Sequence, residues 1–256
     1  MRLEPFNWVH LMLLGIEAAL SVVFFIFVAK VKLSQLGKDR VLKSLAILTV
    51  VLHVSVLWWG LFKDKKAPEF SIYFMLPVAF CNVALLFNLI TICLLNYRHT
   101  RAFKIIAEFA AWGGIFGGLI TIIYGGSSVL DWGCLKSFLS HWVMFLASTY
   151  MFIGGYAKIR VRNLFPLALG FALNGIMGAV TNWVTDLSGI PDQNAMWLRE
   201  ELIPGEVWTS PYLITLYIFI LVFAFTAIWE RFAIKDKNDR WHGVIKRAFN
   251  KNKNLS

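Results

Sequence analysis

Acidic residues are scarce in this chain, 15 against 25 Lys and Arg, and charge of either sign makes up only 16% of it. A soluble domain of 256 residues cannot hide a sequence that is 58% hydrophobic behind so little charge. Cysteine is scarce too. Three cysteines exclude a disulfide framework. Cys134 stands alone in its connection, and Cys81 and Cys93 are ~18 Å apart along one helix at 1.5 Å per residue. Absent altogether are H-E-x-x-H, G-x-S-x-G, a P-loop and a cysteine pair at zinc-finger spacing, which sets aside the chemistries those motifs carry. The last apolar run contains no lysine, so no retinal Schiff base forms there. His10, His53, His141 and an acid are ligand types for zinc, but nothing in their spacing supports a site. No metal and no cofactor is expected.

What the chain does have is long apolar runs. Runs of eighteen or more residues mean membrane helices. Seven are present, at roughly 8–29, 42–62, 71–95, 103–124, 137–157, 163–185 and 211–230. The expected fold is all-α, a polytopic membrane protein built as a seven-transmembrane-helix bundle. Residues 1–230 form that bundle, and 231–256 a basic cytoplasmic tail. The first run is not a cleavable signal peptide: "MRLEPFN" is weakly basic, the run is too long, and no clear small-residue site ends it.

The net charge of +10 is not a nucleic-acid signal, because of where it sits. The connections "KVKLSQLGKDRVLK", "NYRHTRAFK" and "KIRVRN", with the tail from Arg231, hold 19 of the 25 Lys and Arg. The opposite side holds Arg2, Lys63, Lys65, Lys66, Lys136 and Arg199 beside nine acids. This positive-inside asymmetry puts the N-terminus outside and the C-terminus in the cytoplasm. In the tail, Trp241, Val244, Ile245, Ala248 and Phe249 share a helical face ringed by Arg240, Lys246, Arg247 and Lys251. A surface helix over 238–249 lying on an anionic leaflet is expected. The long external segment after the sixth run, with Trp197 and Trp208, is expected to be partly helical over 192–202.

Glycines mark close packing. "WGGIFGG" sets Gly113/Gly117 and Gly114/Gly118 four apart, and Gly170, Asn174 and Gly178 form a second stripe. Ionisable groups inside a span cost about 2.5–3.5 kcal/mol each on insertion scales, so those present face the interior. They are Glu17, His53, Glu108 and His141, with Cys81, Asn82, Asn88 and Asn174 as polar company. Counted from the run ends at 1.5 Å per residue, Glu17, His53, Cys81 and Asn174 lie ~13–16 Å below the outer surface and His141 only ~6 Å. One site opening outward accounts for that level. Each residue also has a plain reading: Cys81 as a small hydrophobe, Asn82, Asn88 and Asn174 as interhelical glue, Glu108 as an interface residue beside Arg101 or Lys104. His10, seven residues before Glu17, is its nearest partner in sequence.

The third run contains "LPVAFCNVALLFN", Leu76–Asn88. Pro77, Cys81, Ala84 and Asn88 fall on one helical face, which is expected to look into a cavity with a histidine near the sulfur.

These elements together resemble the YwaF-like integral membrane proteins, the group that includes eukaryotic transmembrane protein 164. The resemblance rests on "LPVAFCN", where the family has a similar L-P-x-x-x-C-N/D/G element, on His141 in "SFLSHWVMFLA", on "AEFAAWGGIFGG", on Asn182 in "NGIMGAVTNWV" and on "SPYLITLYIF". They occur in family order over about residues 70–220. Ala79 stands where the family often has a histidine, and Tyr212 follows Pro211 directly. The resemblance implies that Cys81 and His141 form a Cys–His pair for acyl transfer onto lysophospholipids; Glu17, His53, Asn82, Asn88, Asn174 and Asn182 are expected as the supporting polar cavity. The expected partners are membrane phospholipids or lysophospholipids, the expected location a bacterial plasma membrane. A histidine is the usual base for a thiol, and an Asn at 82 or 174 is a donor for the oxyanion. His53, level with Cys81, rivals His141 as base. Two non-enzymatic readings compete: a carrier or receptor for a small lipid or solute, and a structural partner recruited through its glycine faces.

Overall fold

Backbone in a bilayer has no water to bond, so a chain with apolar runs this long satisfies its amides within helices. The computed structural model describes residues 6–64, 79–124, 132–189, 195, 198–199 and 207–243, and no strand occurs among them. Among the described residues seven α-helices follow one another: α1 (Trp8–Lys30), α2 (Gln35–Asp64), α3 (Phe80–Cys93), α4 (Arg101–Tyr124), α5 (Trp132–Gly154), α6 (Phe165–Leu187) and α7 (Pro211–Ala233). Four of them, α1, α4, α6 and α7, are long and apolar enough to cross a membrane. α3 is apolar but shorter, 14 residues or ~21 Å at 1.5 Å per residue.

Local chemistry sets the ends. Asn7 accepts the His10 N–H at 2.9 Å and caps α1. Prolines occupy the first turns of α6 and α7, where no intrahelical N–H is needed. α5 stops at Gly155, whose φ of +85° is a left-handed cap. There the Tyr156 N–H reaches the Met151 carbonyl at 2.9 Å and the Gly155 N–H that of Phe152 at 3.2 Å.

α4 is the axis. It buries 61% of its crossing window, against 17% for α1 and 11% for α7. One core packs α1, α2, α4 and α5 around Phe103, Ala107, Tyr150 and Met151. A second packs α3, α4, α6 and α7 around Phe109, Trp112, Leu167 and Val222. The glycines of α4 divide between two neighbours. Gly113 and Gly117 face α3, where a methyl at Gly117 would lie 3.2 Å from the Cys81 Cα. Gly114 and Gly118 face α5, where a methyl at Gly118 would lie 2.8 Å from the His141 carbonyl oxygen. The second stripe is also packed: Gly170, Asn174 and Gly178 are buried, and any side chain at Gly170 would overlap the Phe109 ring.

Two expectations meet the described residues only in part. Of the surface helix over 238–249, Trp241–Gly243 form a first helical turn and 244–249 lie outside the described residues. Of 192–202, Ala195, Leu198 and Arg199 are described, and the rest lie outside.

Candidate functional site

α3 begins later than the apolar run suggests. Ala79 is an extended N-cap, φ −124° and ψ 148°, so Cys81 and Asn82 sit in the first turn at the positive end of the helix. Pro77, the first residue of the expected face, lies outside the described residues. Further along the same face, Ala84 and Asn88 are buried and Cys81 is half-buried.

Beside Cys81 is a small cavity, about 10 Å³, close to the room one water needs. Cys81, Asn82 and Leu85 of α3 line it with His141, Ser140 and Met144 of α5 and His53 and Thr49 of α2. The sulfur, His53 and His141 thus share one space. The ~9 Å vertical separation expected from the run ends does not hold, because the helices do not begin at a common level and both side chains line the same space.

The bonding of His141 fixes its tautomer. Its Nδ1 lies 2.7 Å from the Ser137 carbonyl oxygen. A carbonyl only accepts, so in the neutral ring Nδ1 carries the hydrogen and Nε2 keeps its lone pair. The Cys81 thiol donates to Asn82 Oδ1 at 3.8 Å.

Lys136 was counted among the external charges, but the structure buries it in α5. Its ammonium donates to the His53 carbonyl at 3.4 Å and interacts electrostatically with Cys81, His53 and His141. The signal for it was present: Lys136, Ser140 and Met144 are spaced by four and so share a helical face. Trp132 secures the same junction by donating to Ser55 Oγ at 3.0 Å.

The remaining polar residues have other partners. Glu17 is buried in α1, and its Oε2 makes no hydrogen bond among the described residues. One turn on, Ser21 donates to the Glu17 carbonyl and accepts from the Trp142 indole at 2.9 Å, joining α1 to α5. His10 does not pair with Glu17. It takes the Phe6 N–H on Nδ1 and donates from Nε2 to the Ile122 carbonyl, each at 2.8 Å. Asn88 donates to Ser148 at 3.3 Å, and Ser148 donates in turn to the Ala110 carbonyl, a knot of α3, α5 and α4. Asn174 donates to Gly170 on its own helix. Asn182 anchors the segment after α6 through both Ala195 backbone groups, at 2.7 and 3.4 Å. Arg199 adds hydrogen bonds to Asp186 and to the Asn182 carbonyl. Among the described residues, no cluster of three or more His, Cys, Asp or Glu is disposed to hold a metal.

Glu108 belongs to the other end of the bundle. Its Oε1 accepts the Lys158 N–H and the Asn163 amide, each at 2.8 Å. It lines a cavity of about 390 Å³ with Arg98, Arg101, Lys104, Lys158 and Arg162. Beside that cavity Asp39 accepts from Tyr156 at 2.6 Å, Gln35 at 2.9 Å and Arg98 at 3.2 Å. Burial and the Asp39 acceptor hold the Tyr156 phenol well above the usual phenol range. Glu230 of α7, missed in the sequence because it closes an apolar run, accepts the Val161 N–H at 2.8 Å and the Trp241 N–H at 2.9 Å.

The model of the TMEM164 family matches residues 5–246, nearly the whole chain, and the chain belongs to that family. No curated protein and no solved structure matches it.

Proposed function

We propose that this member of the TMEM164 family is an integral membrane enzyme that moves fatty acyl groups between phospholipids, with Cys81 as nucleophile and His141 as base. The observation that supports it is the cavity shared by Cys81, His141 and His53. His141 Nε2, left as an acceptor by the Ser137 contact, takes the thiol proton. The thiolate adds to an acyl ester carbonyl, the C–S bond forms and the C–O bond breaks. The imidazolium returns its proton to the leaving lysophospholipid alkoxide. In the second half the hydroxyl of an acceptor lysophospholipid attacks the thioester. Its proton passes to Nε2, the C–S bond breaks, and the thiolate is reprotonated by the imidazolium. Asn82 and Lys136 supply donors toward the oxyanion.

The proposed topology is seven spans, with α2, α3 and α5 completing the set, the N-terminus outside and the basic connections in the cytoplasm of a bacterial cell. The positive-inside charge distribution supports it. On this topology the thiol lies toward the outer side, where acyl-CoA is absent, so the donor is a second phospholipid. Single-cysteine labelling at positions 38 and 127 should modify opposite faces; labelling of both from one face overturns the orientation.

The activity is tested in nanodiscs with an acyl-labelled phosphatidylcholine donor and a lysophosphatidylethanolamine acceptor. Labelled product that disappears with Cys81→Ala, together with an acyl thioester trapped on Cys81, is the expected result. Transfer that persists in Cys81→Ala removes the proposal. A second reading, a polar cluster around one water with no chemistry, draws on the size of the cavity, about 10 Å³, which admits no acyl chain unless helices part. It predicts no reaction of Cys81 with an acyl-chain-bearing electrophile in intact membranes.

A further inference from the structure

The cavity at the basic end has no part in the chemistry proposed for Cys81, from which it is separated by about the length of α3, ~21 Å at 1.5 Å per residue. Its lining is unusual for a structural junction. Glu108 is the one carboxylate among the lining residues; its Oε1 holds two donors, and its buried Oε2 makes no hydrogen bond among the described residues. Asp39, which pairs with the lining Arg98, also accepts from Tyr156 and Gln35. Glu230 is taken by two backbone N–H groups. Arg101, Lys104 and Arg162 therefore make no ion pair among the described residues, although all three line one concavity. Positive-inside sorting requires cations on this side; it does not require them to converge on a cavity of about 390 Å³, within the usual range of small-molecule sites. The walls add apolar surface, including Phe165, which is 66% exposed beside the cations.

Five Lys and Arg converging on a cavity with a single lining carboxylate, next to an exposed aromatic, match an amphiphile with an anionic head. We propose that this cavity binds the phosphate group of a phosphate ester carrying an apolar chain, the head of an anionic phospholipid in the leaflet on this side. Arg101, Lys104 and Arg162 contact the phosphate, and Phe165 lies along the start of the chain. Glu108 is a positioning residue: by holding the Lys158 N–H and the Asn163 amide it sets the turn that presents Arg162.

The test is native mass spectrometry of the protein released from vesicles of phosphatidylcholine with one tenth phosphatidylglycerol. Wild type should retain one phosphatidylglycerol with roughly tenfold enrichment over the bulk ratio. Lys104→Gln combined with Arg162→Gln should abolish that enrichment. Lys30→Gln combined with Lys32→Gln, which removes the same charge from the same end but not from the cavity, should keep it. Cys81→Ala should also keep it, which separates failure here from failure of the acyl-transfer reading. Addition of millimolar glycerol 3-phosphate distinguishes the source. Displacement of the lipid would mean that the phosphate alone suffices; its retention would mean that the chain contributes. Retention that tracks the bulk ratio in wild type, or falls equally in both double variants, overturns the proposal.

Discussion

The two ends of this bundle solve opposite problems with the same helices. At one end α2, α3 and α5 close on a space of about 10 Å³, and the polar groups there face each other. At the other, two connections, the start of α4 and the ends of α2, α5 and α6 leave about 390 Å³, and the polar groups face an open hollow. The tight end depends on α4, whose Gly117 and Gly118 let the α3 backbone at Cys81 and the α5 backbone at His141 approach closely. The loose end gathers the cations of its connections and of α4 around one hollow. Reactive groups are collected where side chains are missing; binding groups are collected where they are in excess.

That contrast is sharpest in the effect of losing the sulfur. Cys81→Ala should reduce acyl transfer by on the order of 10³-fold or more, because nothing else there is a comparable nucleophile. Protein yield and melting temperature should stay within experimental spread, since the change is small and apolar. Next in size is the base. His141→Gln should lower transfer by roughly 10²–10⁴-fold, and more than His53→Gln. If His53→Gln is the more damaging, the base is on α2 and His141 is a support. Gly118→Ala should cost transfer about 10²-fold through displacement of α5 and destabilise the bundle by about 1–3 kcal/mol. A Gly118→Ala protein with full activity would mean that the α4–α5 spacing does not control the pair. The smallest effect belongs to the other end. Tyr156→Phe removes a buried bond to Asp39 and should cost about 1.5–3 kcal/mol in chemical denaturation, leaving transfer within twofold.

Much of this was legible in the sequence. The long apolar runs gave helices because hydrophobicity over twenty residues is a strong signal, and the glycine spacing gave the close approach of α4 to its neighbours. Cys81, His53, His141 and Asn82 were singled out as polar groups in apolar company, and they share a cavity. What could not be read were helix ends. A depth counted from the edge of an apolar run does not give the level at which a helix begins, and the run ends place Cys81 and His141 at different depths although they line one space. The same uncertainty left Lys136 in a connection, although five more residues of α5 bury it. Glu17, Asn88, Asn174 and Asn182 show the other limit. Depth in a helix does not say which neighbour a side chain faces, and none of these four lines the cavity. Length and composition likewise identify four crossing helices, and neither reports direction.

The carboxylate of Glu230 sets a practical length for the molecule. Its two oxygens hold backbone N–H groups of Val161 and Trp241, positions far apart in the chain, while the Trp241 ring packs on Phe223 at 5.9 Å. A chain shortened to Ala233 would keep every residue of α7 and still strand one oxygen of a carboxylate that is 1% exposed. An unpaired buried acceptor costs about 1–3 kcal/mol, more when charged. Trimming for expression or crystallisation therefore has its safe limit beyond Gly243 rather than at the end of the last helix.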